Sequence, residues 1–243
     1  MKVSLFVTCV VDQMFPQVGV ATVQVLRRLG ADVSFNPDQT CCGQPAFNTG
    51  YREEARGVAA LTVELLEHEL ESADYVVAPS GSCVSMIKKF YPELFEDDPE
   101  MKARAERVGE RVFEFSQFLV DVLGAEATGA SYSGKITYHD SCHLLRELQV
   151  SKEPRSLIKS VRGAELVEMD RSDACCGFGG TFSVKFPEIS TAIDGEKLAS
   201  IERSGADTVV ACDSSCLMQI QGLLERQGIS VRCMHIAELL NNQ

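Results

Sequence analysis

Eight of the ten cysteines in this 243-residue chain fall into two groups with nearly the same spacing. Each group is built around a Cys-Cys-Gly tripeptide. One cysteine precedes the pair by 31 or 32 intervening residues, and another follows it after 40 or 39. The two groups are Cys9, Cys41, Cys42 and Cys83, and Cys142, Cys175, Cys176 and Cys216. The matched spacing predicts two copies of one four-thiol site.

Four thiolates that converge on one point repel one another unless a positive group neutralises them. Zinc and iron–sulfur clusters are the usual answers, since both bind four cysteines. Structural zinc sites generally take their ligands from two short C-x₂₋₄-C turns, and neither half contains C-x-x-C. Adjacent cysteines have diverging side chains, which favours a cluster that is larger than a single ion. We therefore expect one iron–sulfur cluster of the 4Fe-4S type per half, with zinc as the alternative.

The glycines of the two tripeptide loops are predicted to contact the cofactor. Without a Cβ atom, their backbone amides can approach cluster sulfur and donate hydrogen bonds to it. The run CCGFGG lacks the third spaced glycine of a dinucleotide-binding fingerprint, so no NAD or flavin site is predicted. The expected cofactor-binding glycines are Gly43, Gly177, Gly179 and Gly180.

Strands and helices alternate around these cysteines. In the first half, β-rich runs cover residues 2–8, 31–35 and 74–78, and helical spacing covers residues 15–29 and 51–71. Residues 99–123 are predicted to form one long acidic helix or a pair of helices. Such alternation predicts a parallel sheet, in which ligands bind at the carboxyl ends of the strands. Each cysteine or cysteine pair follows a predicted strand, so we expect one thiol site at the strand ends of each half.

The second half repeats the first at an offset of 133 residues. The run DYVVA at 74–78 returns as DTVVA at 207–211, and a strand is predicted at 135–140 after a linker at 124–134. A repeat of this length indicates an internal duplication. We predict an α/β protein with two tandem, pseudo-symmetric Rossmann-like domains, residues 1–128 and 129–243. Each would have a small, mainly parallel sheet flanked by helices.

The composition of the chain limits the kinds of partner that it can bind. A net charge of −12 argues against nucleic acid and anionic membranes, which require a basic face. No run of 18 apolar residues is present, so no membrane span is predicted. Residues 3–11 are apolar but lack a cleavage pattern and have a mid-chain counterpart, which favours a strand over an export signal. Ten cysteines without an export signal predict reduced thiols in the cytoplasm.

The sequence resembles the cysteine-rich CCG domain family. This family includes the B subunit of heterodisulfide reductase, the iron–sulfur subunit of glycolate oxidase and the lactate utilization proteins, which the chain resembles most. The segments that carry the resemblance span the whole chain and are VSLFVTCVVDQMFP, CCGQPAFNTGY, VVAPSGSC, CCGFGGTFSVK, SCLMQI and HIAELL.

The resemblance implies an iron–sulfur component of a cytoplasmic complex that oxidises L-lactate to pyruvate, together with an iron–sulfur subunit and a third subunit. The chain has no flavin or nicotinamide motif, so we expect a non-autonomous subunit of an oxidoreductase. The fullest family motif supplies five cysteines to a non-cubane 4Fe-4S cluster and ends in C-x-x-C. Here Ser80 and Asp213 replace the first of those two cysteines, which leaves open a cubane cluster or ligation by Ser80, Asp213 or Cys212.

Two other function classes fit the same residues. One is a thiol–disulfide redox subunit in the manner of heterodisulfide reductase, and the other is a zinc-stabilised scaffold for assembly. His139 and His143 flank Cys142, and each is a weak candidate for proton transfer or metal ligation. Cys233 is expected in the core of a last strand, and His235 at the start of the final helix.

Overall fold

The computed structural model describes all residues, 1–243, and contains two four-stranded sheets. The strand order is β2-β1-β3-β4 in the first sheet and β6-β5-β7-β8 in the second. The strands are β1 (Lys2–Leu5), β2 (Asp32–Phe35), β3 (Tyr75–Ala78), β4 (Val112–Glu114), β5 (Ser131–Tyr138), β6 (Arg162–Leu166), β7 (Thr208–Ala211) and β8 (Arg232–His235).

Fourteen α-helical segments connect and flank the strands. Two π-helical segments, Met86–Phe90 and Phe118–Val122, extend α5 and α8. The helices are α1 (Cys9–Met14), α2 (Pro16–Arg28), α3 (Gln44–Asn48), α4 (Arg52–Leu70), α5 (Gly81–Ser85), α6 (Tyr91–Leu94), α7 (Pro99–Glu110), α8 (Phe115–Gln117), α9 (Cys142–Arg146), α10 (Lys152–Lys159), α11 (Phe182–Lys185), α12 (Pro187–Ser204), α13 (Ser214–Gln227) and α14 (Ile236–Asn241).

Every strand pairing in both sheets is parallel, and the two sheets have matching registers. Leu5 pairs with Val77 in the first sheet, and Tyr138 pairs with Val210 at the corresponding position of the second. The predicted α/β class with two tandem, pseudo-symmetric domains is therefore confirmed. We call residues 1–128 the first lobe and residues 129–243 the second lobe.

Residues 99–123 form two helical segments, the second of the two predicted alternatives, but the strand between them was not predicted. Helix α7 ends at Glu110, and β4 (Val112–Glu114) follows as the fourth strand of the sheet. The guanidinium of Arg111 donates to the carbonyls of Leu70 and Asp74, which fixes the chain beside the start of β3. The free edge of β3 then pairs with β4, a tertiary contact that a local helical pattern does not show. The predicted linker also ends early, because β5 begins at Ser131.

A single hydrophobic core joins the two lobes. It contains residues of both sheets, such as Leu5 and Tyr138, together with α2, α8, α10 and α14, which lie between the sheets. The outer faces carry separate clusters, one under α4 and α7 and one under α12 and α13. The boundary at residues 128/129 falls in the connection before β5 and stays a prediction.

Capping residues at the helix N-termini agree with the observed helix boundaries. The side chain of Asp98 accepts from the amide of Met101 at the start of α7, and Pro99 occupies the first turn. His235 and Glu238 form a reciprocal cap on α14, which confirms the predicted helix start. No helix combines the length and the apolar character needed to cross a lipid bilayer.

Candidate metal centre

The first quartet, Cys9, Cys41, Cys42 and Cys83, lies where three strands end. Cys9 begins α1 after β1, and Thr8 before it has φ = 70° although it is not glycine. This left-handed backbone is uncommon for a threonine and turns the chain sharply into α1. The Cys-Cys pair lies in the loop between β2 and α3, and Cys83 lies in α5 after β3. The predicted placement at strand ends therefore holds for each of the four.

The sulfur atoms of the first quartet form a continuous chain of contacts. Cys41 is the hydrogen-bonding partner of both Cys9 and Cys42. The Sγ atoms of Cys42 and Cys83 are 3.4 Å apart. The Gly43 amide donates to the Cys41 Sγ at 3.4 Å, and Gly43 has φ = 82°, a conformation that glycine adopts without strain. The four thiols thus converge on one point.

The second quartet, Cys142, Cys175, Cys176 and Cys216, repeats this arrangement. Cys142 begins α9 after β5, and Cys216 lies in α13 after β7. Cys175 is the hydrogen-bonding partner of Cys142 and Cys176, and Cys176 also contacts Cys216. The Gly177 amide donates to the Cys175 Sγ at 3.3 Å.

Each quartet stabilises the thiolate form of its central cysteine. Hydrogen bonds from Cys42 and Cys9 lower the pKa of the Cys41 thiol to about 3, and those from Cys142 and Cys176 lower the pKa of Cys175 to about 2. Hydrogen bonding to Cys41 and burial raise the pKa of Cys9 far above its ordinary value. A positive metal group is what would allow the other thiols to ionise together.

All eight cysteines line one cleft of about 290 Å³ between the lobes. The cleft forms because helices that carry cysteines of opposite lobes pack together, α5 against α9 and α1 against α13. Gly81 of α5 makes the first contact possible, since a Cβ atom there would lie 2.6 Å from the Leu144 Cβ. The second-lobe loop also contacts the first lobe at the cleft edge, where the Thr181 and Thr49 hydroxyls are 2.5 Å apart.

The remaining predicted glycines, Gly179 and Gly180, also line the cleft. Both have left-handed φ angles, 56° and 65°. A Cβ atom on Gly179 would lie 2.9 Å from the Phe182 Cβ. The two glycines therefore allow the tight turn that carries the loop from Cys176 across the cleft edge.

Ser80 and Asp213, predicted as alternative ligands, contact each other across the lobe interface. The Asp213 Oδ1 accepts from the Ser80 hydroxyl at 2.9 Å and from the hydroxyl and amide of Ser82 at 2.8 and 3.1 Å. Ser80 also accepts from the Cys83 amide and so caps α5. These contacts join the two lobes through the Asp213 Oδ1, whereas its buried Oδ2 has no hydrogen-bond partner.

Cys212 and Cys233 lie outside the quartets. Cys212 is fully buried in the shared core, with its Sγ 3.3 Å from the Tyr138 hydroxyl and 3.7 Å from that of Ser116. Cys233 pairs with Val209 in the sheet and packs against the outer cluster of the second lobe. Neither lines the cleft.

The two histidines have different positions. His143 lines the cleft, with its Nδ1 3.6 Å from the Cys142 Sγ. His139 is buried behind the second quartet, where one of its ring nitrogens and the Sγ atoms of Cys176 and Cys216 all lie within 4.8 Å of one another. Contact with Cys176, and then with His139, lowers the pKa of Cys216 to about 6.

Hydrogen bonds fix the cysteine loops in both lobes, but different residues form these bonds in each lobe. In the second lobe, buried Asp140 accepts from both terminal nitrogens of Arg155 at 2.7 Å and from the Ser172 hydroxyl at 2.8 Å. These bonds tie the residues before Cys142 to the loop before Cys175. In the first lobe, the Gln39 side chain donates to the Leu5 carbonyl and accepts from the Val7 amide. It thereby ties the residues before Cys9 to the loop before Cys41.

Sequence reasoning missed three buried residues near the quartets. Asp194 and Lys197 lie on the buried face of α12, and the Tyr91 hydroxyl donates to the Cys42 carbonyl at 2.9 Å. Burial, and then the Cys216 thiolate, raise the pKa of Asp194 to about 7. Charged residues one helical turn apart on the inward face of α12 were the available signal for Asp194 and Lys197.

The donor set fits a cysteine-bound metal group. Each quartet offers four thiols linked by successive pairwise contacts, a glycine amide directed at one sulfur, and a cleft beside it. Zinc and iron–sulfur clusters both accept such ligands. The arrangement therefore defines a protein of two thiol-rich centres that face each other across one cleft.

Comparison with known proteins agrees with this arrangement. A family model described as the cysteine-rich domain CCG matches residues 3–88 and again residues 136–221. Each match contains one whole quartet and the strands that position it. The chain therefore belongs to the CCG family of cysteine-rich domains, in a duplicated form.

Relatives that match the whole chain give a more specific comparison than the domain family. The chain is similar to proteins named lactate utilization protein A, and the sequence-level resemblance is confirmed. It is 49% identical to that of Geobacillus kaustophilus, covering 99% of each chain. It is 48% identical to that of Exiguobacterium sp., covering 99% of this chain and 97% of the relative. It is 47% identical to that of Bacillus velezensis, covering 100% of both.

A solved structure shares the fold at low identity. A hypothetical protein from Helicobacter pylori has a TM-score of 0.65 and is 10% identical, with 97% of this chain and 47% of that chain covered. This chain thus spans about half the length of that protein. The likeness extends over both lobes and concerns the fold alone.

Proposed function

We propose that this chain is the iron–sulfur electron-transfer component of a multi-subunit complex that oxidises L-lactate to pyruvate. The name of its full-length relatives supports the lactate pathway. The observation that carries the proposal is the pair of thiol quartets on the walls of one cleft. We place the complex in the cytoplasm, where thiols remain reduced.

Two centres in one chain suit the electron count of this reaction. Oxidation of one lactate to pyruvate releases two electrons and two protons. Iron–sulfur clusters accept and release single electrons, so one cluster in each lobe accommodates both. The eight thiols would hold these clusters, and the Gly43 and Gly177 amides would stabilise negative charge on the sulfurs they contact.

The cleft lacks the groups that would bind a small carboxylate. No lysine or arginine is among the residues that line it, and its negative groups, the Asp213 carboxylate and the thiolates of Cys41 and Cys175, would repel a carboxylate. Binding a hydroxy acid ordinarily uses a cation for the carboxylate, and removing its hydroxyl proton requires a base. We infer that another subunit binds lactate and that this chain receives the electrons.

Exposed apolar side chains beside the cleft support docking of that subunit. Val184 of α11 lines the cleft and is 81% exposed, and Phe186 and Ile189 nearby are 50% and 55% exposed. Exposed hydrophobic groups of this size, next to a functional cleft, are typical of interaction sites. We assign this surface to the iron–sulfur subunit or to the third subunit of the complex.

Metal and sulfide analysis of anaerobically purified protein tests the proposal. We expect brown protein that contains both iron and acid-labile sulfide, with an absorption spectrum bleached by dithionite. Cys42→Ala and Cys176→Ala should each remove one of two distinct EPR signals. Zinc without iron would overturn the proposal in favour of a scaffold.

A second assay separates electron transfer from thiol–disulfide chemistry. The isolated chain should not oxidise lactate, and its clusters should become reduced by lactate only after the partner subunits are added. Cys233→Ser, outside both quartets, serves as the control and should behave as wild type. Turnover of disulfide substrates by the isolated, reduced chain would favour the heterodisulfide-reductase-like alternative.

A further inference from the structure

The two quartets have the same thiols but different surroundings on their buried side. Phe6 and His139 occupy equivalent positions: their amides donate to the equivalent carbonyls of Val77 and Val210, each at 2.9 Å. Phe6 belongs to the buried apolar cluster that contains Cys42 and Cys83. The second lobe therefore has an imidazole where the first has a phenyl ring.

The difference extends to the helix behind each quartet. A Cβ atom on Gly43 would meet the Ala55 carbonyl, and one on Gly177 would meet the Ser190 carbonyl, so these two helix positions correspond. One turn later lie Ala59 in the first lobe and Asp194 in the second, both fully buried. The first centre is thus backed by apolar side chains and the second by polar ones.

Apart from the sulfur atoms of the second quartet, the imidazole of His139 has no polar partner in the protein. The residue is 1% exposed, and neither ring nitrogen has a hydrogen bond of normal geometry. Buried imidazole nitrogens are ordinarily satisfied, since leaving them unpaired is costly. A ring nitrogen lies within 4.8 Å of the Sγ atoms of both Cys176 and Cys216.

We propose that His139 is a nitrogen ligand of the second-lobe metal centre, so that the two centres of this chain differ in their donor atoms. The inference rests on the proposed function, in which each quartet holds an iron–sulfur cluster. One ring nitrogen of His139 lies within 4.8 Å of two sulfur atoms of the quartet, so a small movement of the imidazole would allow it to bind the same metal group.

Histidine ligation would set the direction of electron flow within the chain. If His139 takes an iron site that a thiolate of the quartet would otherwise occupy, the centre carries less negative charge and its potential is higher. The Lys197 ammonium, which donates to the carbonyls of Arg171 and Ser172, is a buried positive group on the same side. The second centre therefore has the higher potential, and electrons pass from the first lobe to the second.

Pulsed EPR on the dithionite-reduced, full-length protein tests the ligation. One of the two centres should show the strong ¹⁴N hyperfine coupling of a bound imidazole, and labelling with ¹⁵N-histidine should convert it to the ¹⁵N pattern. His139→Phe, which reproduces the first-lobe residue, should abolish the coupling and lower the midpoint potential of that centre alone. The matched control is His143→Phe, since His143 is next to Cys142, and it should keep the coupling.

The outcomes separate this inference from the proposed function. Weak nitrogen coupling in the labelled wild-type protein, or coupling that disappears in His143→Phe instead, would overturn ligation by His139 while iron remained bound. Protein without iron and sulfide would overturn the proposed function itself. If His139→Phe fails to incorporate its second cluster, the labelled wild-type spectrum still decides between ligation and its absence.

Discussion

Replacing Glu114 by glutamine should make the stability of the protein less sensitive to a rise in pH from 4.5 to about 7. Glu114 ends β4, and its carboxylate is fully buried. One carboxylate oxygen accepts from the amides of Ser116 and Gln117 at 2.8 and 3.1 Å, and the other has no partner. Burial, and to a smaller extent the charge of Asp213, raise the pKa of Glu114 from 4.5 to about 7.

The sign and size of the effect follow from this shift. Between pH 4.5 and 7, the folded protein keeps a proton on Glu114 that the unfolded chain has released, so the free energy of unfolding falls as pH rises. At about 1.4 kcal/mol per tenfold change in proton affinity, the loss at pH 8 amounts to about 3 kcal/mol. Glutamine retains an oxygen acceptor for the two amides and carries no charge, so the variant avoids this loss.

Urea unfolding of wild type and Glu114→Gln at pH 5 and pH 8 measures the difference. We expect similar midpoints at pH 5 and a variant more stable by up to about 3 kcal/mol at pH 8. Glu126→Gln in the exposed loop before β5 is the control and should shift neither midpoint. A stability difference that is the same at both pH values would refute the assignment of a protonated Glu114.

Three further expectations concern the loops and the last helix. Gly177→Ala should destabilise the protein more than Gly43→Ala and should remove the second-lobe cluster. Its Cβ atom would lie 2.5 Å from the Ser190 carbonyl oxygen, whereas the Cβ atom at position 43 would lie 3.4 Å from the Ala55 carbonyl oxygen. Thermal unfolding and iron content measure the two effects. Arg155→Gln should destabilise the protein by about 3 kcal/mol, because it leaves a buried carboxylate without its ion pair; urea unfolding measures this, and a loss near zero would contradict it. Burial lowers the pKa of His235 from 6.5 to about 4, so the unfolded chain takes up a proton first as the pH falls. The free energy of unfolding should therefore fall by about 3 kcal/mol as the pH is lowered from 6.5 to 4. His235→Gln should remove this pH dependence in an acid titration.

The quartets could be predicted because their spacing repeats and the fold has simple rules. Parallel strands place their carboxyl ends at one edge of a sheet, so cysteines that follow strands β1, β2 and β3 must lie together. The same reasoning locates Cys142 and Cys216. These inferences use local pattern and general topology, and both are visible in the chain.

The shared cleft and the fourth strand of the first lobe depend on contacts that no local pattern shows. Lobe docking requires Gly81 against Leu144, 63 residues further along the chain, and β4 forms only because the edge of β3 accepts it. Ser80 and Asp213 illustrate the same limit. Their positions suggested metal ligands, but the hydrogen bond between them depends on how the lobes pack.

Duplication explains why the two lobes bind similarly but need not act alike. The strand order and the four thiols of each site follow from the repeated pattern, and they supply the same charge to each centre. A difference in electron affinity must then come from groups that the repeat does not preserve. His139 in place of Phe6, and Asp194 in place of Ala59, are changes on the buried side, where a low dielectric makes charge and polarity most effective. We therefore expect the polarity of these few buried positions, more than the cysteine pattern, to determine which of the two proposed centres holds an electron longer.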